Sequence, residues 1–161
     1  MSDSRPEPVV TREALSWVVS QQTFTRWTGV KVNRVDYGFV ELEMPFRAAD
    51  MAQHHGFLHG AMIGFLVDNV CAYTAATVVG DVLTAQYSVN FLRPGVGEKF
   101  LARGTMVSKS RRQVVLRADI LAVLDGVEKL IAIGDAVVMP AGERHEIKEV
   151  KPDQSLGDAG S

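Results

Sequence analysis

Residues 53–68 read Q-H-H-G-F-L-H-G-A-M-I-G-F-L-V-D, and a mostly apolar run continues from there to residue 79. The run predicts one long, buried helix over 58–79 with a single carboxylate, Asp68, in its middle. A buried carboxylate is unfavourable unless it is paired or used in chemistry. His59 and Gly60 stand at the predicted helix start, where backbone N–H groups favour an anion, including a developing oxyanion. The stretch is therefore suited to the hydrolysis of an acyl compound.

The rest of the chain predicts strands around this helix. Before it, the pattern predicts a helix from Thr11, as N-cap, to Gly29, then a hairpin of strands 30–35 and 39–44, and a loop over 45–53. After it, strands are predicted over 83–92, 99–108, 113–124 and 128–139. A helix that is apolar on nearly all sides needs a surface around it, which a single antiparallel sheet curled about the helix supplies. The prediction is an α+β fold, and the remaining edges of the sheet predict an oligomer.

Length and composition limit the class of protein. The 161 residues fit one domain over 11–140, with a flexible arm over 1–10 and a flexible tail over 141–161. A net charge of -2 gives no bias toward nucleic acid or membrane partners. Cys71 is the single cysteine and residues 1–8 are unlike a signal peptide, so we expect a cytoplasmic protein. Asp68 and Asn69 interrupt the apolar run, which favours a core helix over a membrane span.

Three stretches carry a resemblance to a known family. They are H-G-A-M-I-G-F-L-V-D at 59–68, L-T-A-Q-Y-S-V-N-F-L-R-P at 83–94, and the hairpin turn Asp125-Gly126. The sequence resembles the hotdog-fold acyl-CoA thioesterases of the phenylacetate-degradation (PaaI-like) type over about residues 25–140. Ala61 departs from the second glycine of most members. The resemblance implies a curved sheet wrapped around a central helix, an acyl-CoA substrate, no cofactor, and homodimers or homotetramers with active sites at the subunit interface.

The resemblance also implies roles for five residues. Asp68 matches the catalytic carboxylate, which acts as nucleophile or as general base on a water. Gly60 matches the residue whose backbone N–H polarises the thioester carbonyl, and His59 matches the histidine that helps to place that carbonyl. Gln53 matches a polar residue near the attacking water or the leaving sulfur. Thr84 matches a hydroxyl residue that supports the carboxylate or its water.

Helix geometry constrains a joint role of His59 and Asp68. If residues 59–68 are helical, nine residues give about 13–14 Å of rise and roughly 900° of rotation, so the two side chains project from opposite faces. If both side chains act on the same atom of a substrate, one of them must then come from a second chain. The constraint weakens if His59 lies in the loop before the helix.

Four further interpretations stay open. The basic turn with Arg111 and Arg112 is either a solvated hairpin tip or, together with Arg93, a site for the phosphates of coenzyme A. His55 and His59 have the i, i+4 spacing of metal ligands, but Gly56 between them weakens that interpretation, and no metal site is predicted. Asp50 and His55 have the D-x4-H spacing of hotdog-fold hydratases without the neighbouring asparagine and proline. A non-catalytic acyl-CoA binding protein is the remaining alternative.

Overall fold

A computed structural model describes residues 6–142 of the chain, so half of the predicted arm and nearly all of the predicted tail lie outside the described residues. The elements follow the order helix, hairpin, central helix and four strands that the sequence predicts. Their bounds are α1 Arg12–Gln21, α2 Thr23–Thr28, β1 Lys31–Asp36, β2 Phe39–Pro45, α3 Ala48–Met51, α4 Gly60–Val79, β3 Val82–Phe91, β4 Lys99–Lys109, β5 Val114–Leu124 and β6 Val127–Pro140.

The six strands form one antiparallel sheet in the order β1-β2-β4-β5-β6-β3. The central helix α4 contacts all six strands, so the sheet curves around it. The predicted α+β architecture is therefore confirmed. Its hairpin register is also as the alternation predicts, since Val40, Leu42 and Met44 are all fully buried on the face toward α4.

A row of small residues lets α4 lie close to the middle of the sheet. Gly104, Ala118 and Gly134 are directly paired neighbours on β4, β5 and β6. A Cβ added at Gly134 would lie 2.5 Å from a methyl carbon of Val67 on α4. A Cβ at Gly104 would lie 2.8 Å from the carbonyl oxygen of Val70 on the same helix. Larger residues in this row would push the helix off the sheet.

Helix α4 is long and apolar enough to span a membrane by length and composition alone. In the fold, however, 72% of its most apolar window is buried against the sheet and the other helices. The prediction of a core helix is confirmed. Its C-terminal end is set by Gly80, which has a φ of 84°.

Strand β3 is an edge strand with an extra residue. Ala85 has no partner on β6, since Thr84 pairs with Val138 and Gln86 with Val137. A bulge of this kind reverses which side chains face the core. Before the bulge the even-numbered residues face α4, and after it the odd-numbered ones do.

Two local features differ from the predictions. The single helix predicted up to Gly29 is wrong, because Gln22 has extended backbone angles and separates α1 from α2. A distant contact stabilises this break: the hydroxyl of Tyr73 on α4 donates a 2.8 Å hydrogen bond to the side-chain oxygen of Gln22. The predicted loop over 45–53 contains the short helix α3, which buries Met51. The N-cap at Thr11 is as predicted, since its hydroxyl accepts a hydrogen bond from the N–H of Ala14.

Candidate active site

The start of α4 presents backbone N–H groups in a defined geometry. His59 is the N-cap, and its Nδ1 accepts a 3.0 Å hydrogen bond from the N–H of Ala61. In the neutral imidazole the hydrogen then resides on Nε2, which can donate to a carbonyl oxygen. The N–H of Gly60, the first residue of the helix, has no acceptor among residues 6–142. One N–H donor and one imidazole donor are therefore held at the helix start.

The loop before α4 is folded around Gln53. The N–H of Gln53 donates to the carbonyl oxygen of Phe57 at 2.8 Å, and its carbonyl oxygen accepts from the N–H of Gly56 at 2.9 Å. Its side-chain oxygen accepts a hydrogen bond from the N–H of His55. These bonds leave the side-chain NH2 of Gln53 as the group that can donate to a ligand.

Gln53 and Gly60 share a cavity of about 400 Å³, which we call the helix-start cavity. It is bounded by the end of β3 and by the segment that follows it. Its lining residues are Gln53, Phe57, Leu58, Gly60, Ile63, Phe91, Leu92, Arg93, Pro94 and Gly95. The structure therefore brings Gln53, Gly60 and Arg93 together.

Asp68 lies in a second open cavity of about 440 Å³, which we call the carboxylate cavity. Its Oδ1 is one of two buried side-chain nitrogen or oxygen atoms in residues 6–142 that have no hydrogen-bond partner. The walls come from α2, α4 and β3. They are Gln22, Phe24, Thr25, Ala61, Phe65, Asp68, Asn69, Ala72, Tyr73 and Tyr87.

The two groups of site residues are separate within one chain. Gly60 and Asp68 are eight residues apart on α4, which is about 12 Å of helix rise. His59 is the N-cap with extended backbone angles, so of the two alternatives the structure has His59 just before the helix. The rotation argument therefore no longer applies to its side chain, but the separation along the helix remains. A reaction that uses both groups requires Asp68 from a second chain.

Strand β3 follows α4 along the line that joins the two cavities. A Cβ added at Gly60 would lie 3.3 Å from the ring of Phe91, and one at Gly64 would lie 3.4 Å from the hydroxyl of Tyr87. Asp68 is one helical turn beyond Gly64, and Thr84 is on the other side of the bulge from Tyr87; the residues that line the carboxylate cavity include Tyr87 but not Thr84. Thr84 pairs with the fully buried Val138 and therefore faces the helix. Its predicted supporting position near Asp68 is compatible with this register.

The three arginines do not come together in one chain. Arg111 and Arg112 lie in the β4–β5 hairpin tip, next to Val114. The side chain of Arg93 donates a 2.9 Å hydrogen bond to the carbonyl oxygen of Leu130 near the opposite end of the sheet. Along β5, Val114 is seven residues from the partner of Leu130, which is about 23 Å. A joint site for one set of phosphates would need another chain.

The alternative metal and hydratase groupings are not assembled. His55 lies before α4, so its i, i+4 spacing to His59 does not place both on one helix face. Within residues 6–142, no three His, Cys, Asp or Glu side chains lie close enough together to hold a metal ion. Asp50 is paired with Arg47 at 2.9 Å, whereas the ring of His55 packs against that of His54 at 3.9 Å.

Sequence reasoning missed the contribution of α2 to the carboxylate cavity. The side-chain oxygen of Gln22 accepts hydrogen bonds from Tyr73 and from Thr25, which fixes the break between α1 and α2 beside the cavity. Burial raises the pKa of Tyr73 to about 12, so this phenol remains a hydrogen-bond donor over the working pH range. No local sequence signal identifies Gln22, because the hydrogen bond that it accepts from Tyr73 joins residues 51 positions apart.

Comparison with known proteins agrees with this architecture. The sequence model of the thioesterase superfamily matches residues 55–127. A solved thioesterase family protein from Silicibacter pomeroyi is 34% identical with a TM-score of 0.73, over 76% of this chain and 91% of that one. The PaaI protein from the phenylacetic acid degradation operon of E. coli has a TM-score of 0.68 at 19% identity, over 82% of this chain and 97% of that one. A Saccharolobus solfataricus protein named as an esterase is 27% identical over 111 residues, which are 68% of this chain and 73% of that one.

Proposed function

Because the chain belongs to the thioesterase superfamily and has its hotdog fold, we propose that it hydrolyses an acyl- or aryl-acyl-CoA to the free acid and coenzyme A. The observation that carries the proposal is the state of Asp68. One oxygen of this carboxylate is buried without a hydrogen-bond partner, at the wall of an open cavity. A purely structural carboxylate is normally satisfied by donors, whereas a catalytic one is left available to the substrate or its water.

The proposed enzyme is a homodimer, alone or within a homotetramer, in which β3 pairs with β3 of a second copy. The edge strand carries large apolar side chains in solvent, with Leu83 68% and Phe91 60% exposed. An exposed apolar edge strand is a template for pairing with another chain. A twofold axis gives each subunit the same contact, which suits a strand that pairs with its own copy.

The register of β3 supports this arrangement. With the twofold axis near Tyr87 and Ser88, antiparallel pairing sets Phe91 of one protomer opposite Thr84 of the partner subunit. Because Phe91 packs on Gly60, and Tyr87, which lines the carboxylate cavity, lies near the axis, the helix-start cavity then faces the partner subunit's carboxylate cavity. Two composite sites result, one on each side of the axis.

The proposed chemistry uses the helix start as the oxyanion site. The thioester carbonyl oxygen accepts hydrogen bonds from the N–H of Gly60 and from Nε2–H of His59. Asp68 of the partner subunit either attacks the carbonyl carbon or takes a proton from a water that attacks it. In the first route a C–O bond forms, the C–S bond breaks with its electron pair on sulfur, and water hydrolyses the resulting anhydride. In the second route the proton from water reaches the leaving thiolate through the carboxylate.

A backbone substitution tests the oxyanion site directly. Gly60→Pro removes the N–H, and proline is tolerated at the first position of a helix. The preceding residue, His59, already has the φ of -62° and ψ of 137° that a following proline requires. Gly60→Ala is the matched control, since it keeps the N–H and adds a side-chain carbon beside the movable ring of Phe91.

The assay is thiol release from a panel of acyl-CoAs, from short straight chains to phenylacetyl and benzoyl groups. We expect the kcat of Gly60→Pro to fall by about 10²–10³, as for the loss of one oxyanion donor, while Gly60→Ala retains most of it. Absence of turnover by the wild-type oligomer on every thioester would refute the proposed function. Equal activity of the proline and alanine variants would refute the role of the N–H.

Mixing two inactive variants tests whether the site is shared. In a dimer with composite sites, Gly60→Pro and Asp68→Ala each remove one half of both sites. After unfolding and refolding a 1:1 mixture, half of the dimers are mixed and each has one intact site, so about a quarter of the wild-type sites return. No recovery from a mixture that does form mixed dimers would show that each chain uses its own Gly60 and Asp68.

A further inference from the structure

The side chain of Arg47 makes three hydrogen bonds to two different helices. Its Nη1 and Nη2 donate to the carbonyl oxygens of Thr28 and Trp27 at 3.0 and 2.7 Å, at the end of α2. Its Nε donates to a carboxylate oxygen of Asp50 on α3 at 2.9 Å. The guanidinium also lies over the ring of Trp27, 5.2 Å from the ring centre. A planar guanidinium with donors in a fixed arrangement is suited to hold two elements in one relative position.

The position of α2 depends on contacts at both of its ends. This helix has six residues, and its N-cap makes no side-chain capping hydrogen bond, so tertiary contacts must stabilise it. At its start, the hydroxyl of Tyr73 holds the side chain of Gln22. At its end, Arg47 supplies donors to carbonyl groups that have no partner within the helix. Since Phe24 and Thr25 of α2 line the carboxylate cavity, Arg47 helps to place that wall.

The contacts of Arg47 with α3 lead to the start of α4. Arg47 is the N-cap of this four-residue helix, and its carbonyl oxygen accepts hydrogen bonds from the N–H groups of Asp50 and Met51 at 3.1 and 2.9 Å. The carbonyl oxygen of the buried Met51 accepts a 2.8 Å hydrogen bond from the N–H of His59. The backbone that carries the His59 imidazole is therefore held by α3, and α3 is held by Arg47.

We propose that Arg47 is a positioning residue for both halves of the site that each chain contributes, an assignment that rests on the proposed function. Within residues 6–142, the walls of the two cavities do not include Arg47, so it acts through α2 and through α3. The first element places a wall beside Asp68, and the second places the oxyanion donor His59. Because the two halves of one chain belong to different composite sites in the proposed dimer, one Arg47 affects both sites.

Mixtures of inactive variants show which half of the site depends on Arg47. In the reference mixture of Gly60→Pro with Asp68→Ala, each mixed dimer has one intact site. Arg47→Met added to the Asp68→Ala chain alters the chain that supplies the helix start of that site. The same substitution added to the Gly60→Pro chain alters the chain that supplies the carboxylate. We expect turnover per mixed dimer to fall about tenfold to 100-fold in both cases, because a displacement of about 1 Å is enough for such a loss.

Arg34→Met is the matched control. Arg34 also contacts an aromatic ring and a carboxylate, since it lies 5.0 Å from the centre of the Phe39 ring and 2.7 Å from Asp36. All three residues belong to the β1–β2 hairpin, so we expect both mixtures to keep the turnover of the reference. Arg47→Lys should give an intermediate loss, because lysine keeps the charge but lacks the planar arrangement of donors.

Hydrogen exchange of the free protein, measured by mass spectrometry, provides a readout that is independent of turnover. In Arg47→Met, or in Arg47→Lys if the methionine variant does not assemble, we expect the amides of residues 57–61 and of α2 to exchange about tenfold faster. The amides of residues 72–79, at the other end of α4, should be unchanged, whereas a general loss of stability would accelerate them as well.

Faster exchange at both places supports the assignment even if no thioester is hydrolysed, in which case only the proposed function fails. Unchanged exchange at residues 57–61 overturns the assignment, because Arg47 then only caps α2. Loss of turnover in only one of the two mixtures, or in neither, overturns it as well.

Discussion

Asp68→Asn should increase stability while it abolishes catalysis. The substitution keeps the shape of the side chain and removes the charge from a carboxylate whose Oδ1 is buried without a partner. A buried charge without a partner is costlier to desolvate than a neutral amide of the same shape, and because the side chain is only partly buried the gain lies in the lower part of about 1–3 kcal/mol. Asparagine and aspartate have similar helix propensities, so the helix itself contributes little to the difference.

We therefore expect the free energy of unfolding to rise by about 1 kcal/mol, which corresponds to about 2–4 °C in Tm for a domain of this size. The measurement is urea unfolding at one fixed protomer concentration, because oligomerisation contributes to apparent stability. On the same samples, thiol release should fall by at least about 10³, since the amide neither attacks a carbonyl nor accepts a proton.

Asp119→Asn is the matched control. Asp119 accepts hydrogen bonds at 3.1 and 3.0 Å from Arg117 on the solvent side of the sheet, so its loss should leave stability unchanged or lower it by up to about 1 kcal/mol. Opposite signs for the two substitutions would support the interpretation of Asp68 as a functional carboxylate. A clear loss of stability in Asp68→Asn, or retention of kcat, would refute it, because the carboxylate would then be a structural group.

Three further predictions concern the fold. Gly134→Ala should lower the free energy of unfolding by about 1–3 kcal/mol, because the new methyl group lies 2.5 Å from an α4 side-chain carbon, whereas Gly64→Ala within the helix should be neutral or stabilising; urea unfolding measures both. A hydrogen bond from Arg103 holds the pKa of Glu128 in the folded protein below its usual value of 4.5. This pair should therefore stabilise the fold at pH values above 4.5, and the stabilisation should be lost as the pH falls through the lower pKa of the folded state. Arg103→Met should flatten this part of the curve of stability against pH. Burial raises the pKa of Cys71 to about 12, so its thiol should react with a disulfide reagent at about pH 8 only after denaturation, as mass spectrometry can show.

The sequence specifies most of the fold through patterns that are local. The apolar run that becomes α4, the alternation of Val40, Leu42 and Met44, and the glycines that end helices and turns all act within a few residues of their positions. The break at Gln22 is different in kind, because the group that stabilises it, Tyr73, is 51 residues away. The order of the strands likewise depends on contacts across the whole chain, which periodicity does not encode.

The candidate site also has some features that local sequence patterns predict and others that depend on distant contacts. The N-cap geometry of His59 and the position of Asp68 within the helix follow from spacing along the chain. Which residues share a cavity does not, because it depends on the register of β3 against α4. For that reason the sequence groups Arg93 with Arg111, whereas the sheet holds them at opposite ends.

The bulge at Ala85 connects the fold to the proposed chemistry. In a regular strand, the residues that face α4 together with Tyr87 and Phe91 would all be odd-numbered, and Thr84 would face solvent. The extra residue reverses the alternation, so that Thr84 shares the core side with the buried Val138 while Phe91 still packs on Gly60. One strand thereby supplies an apolar cover to the helix start and a hydroxyl on the side that faces α4. If two copies pair through β3, Ala85, which interrupts the pairing with β6, also sets the helix start of one subunit opposite the carboxylate of the other.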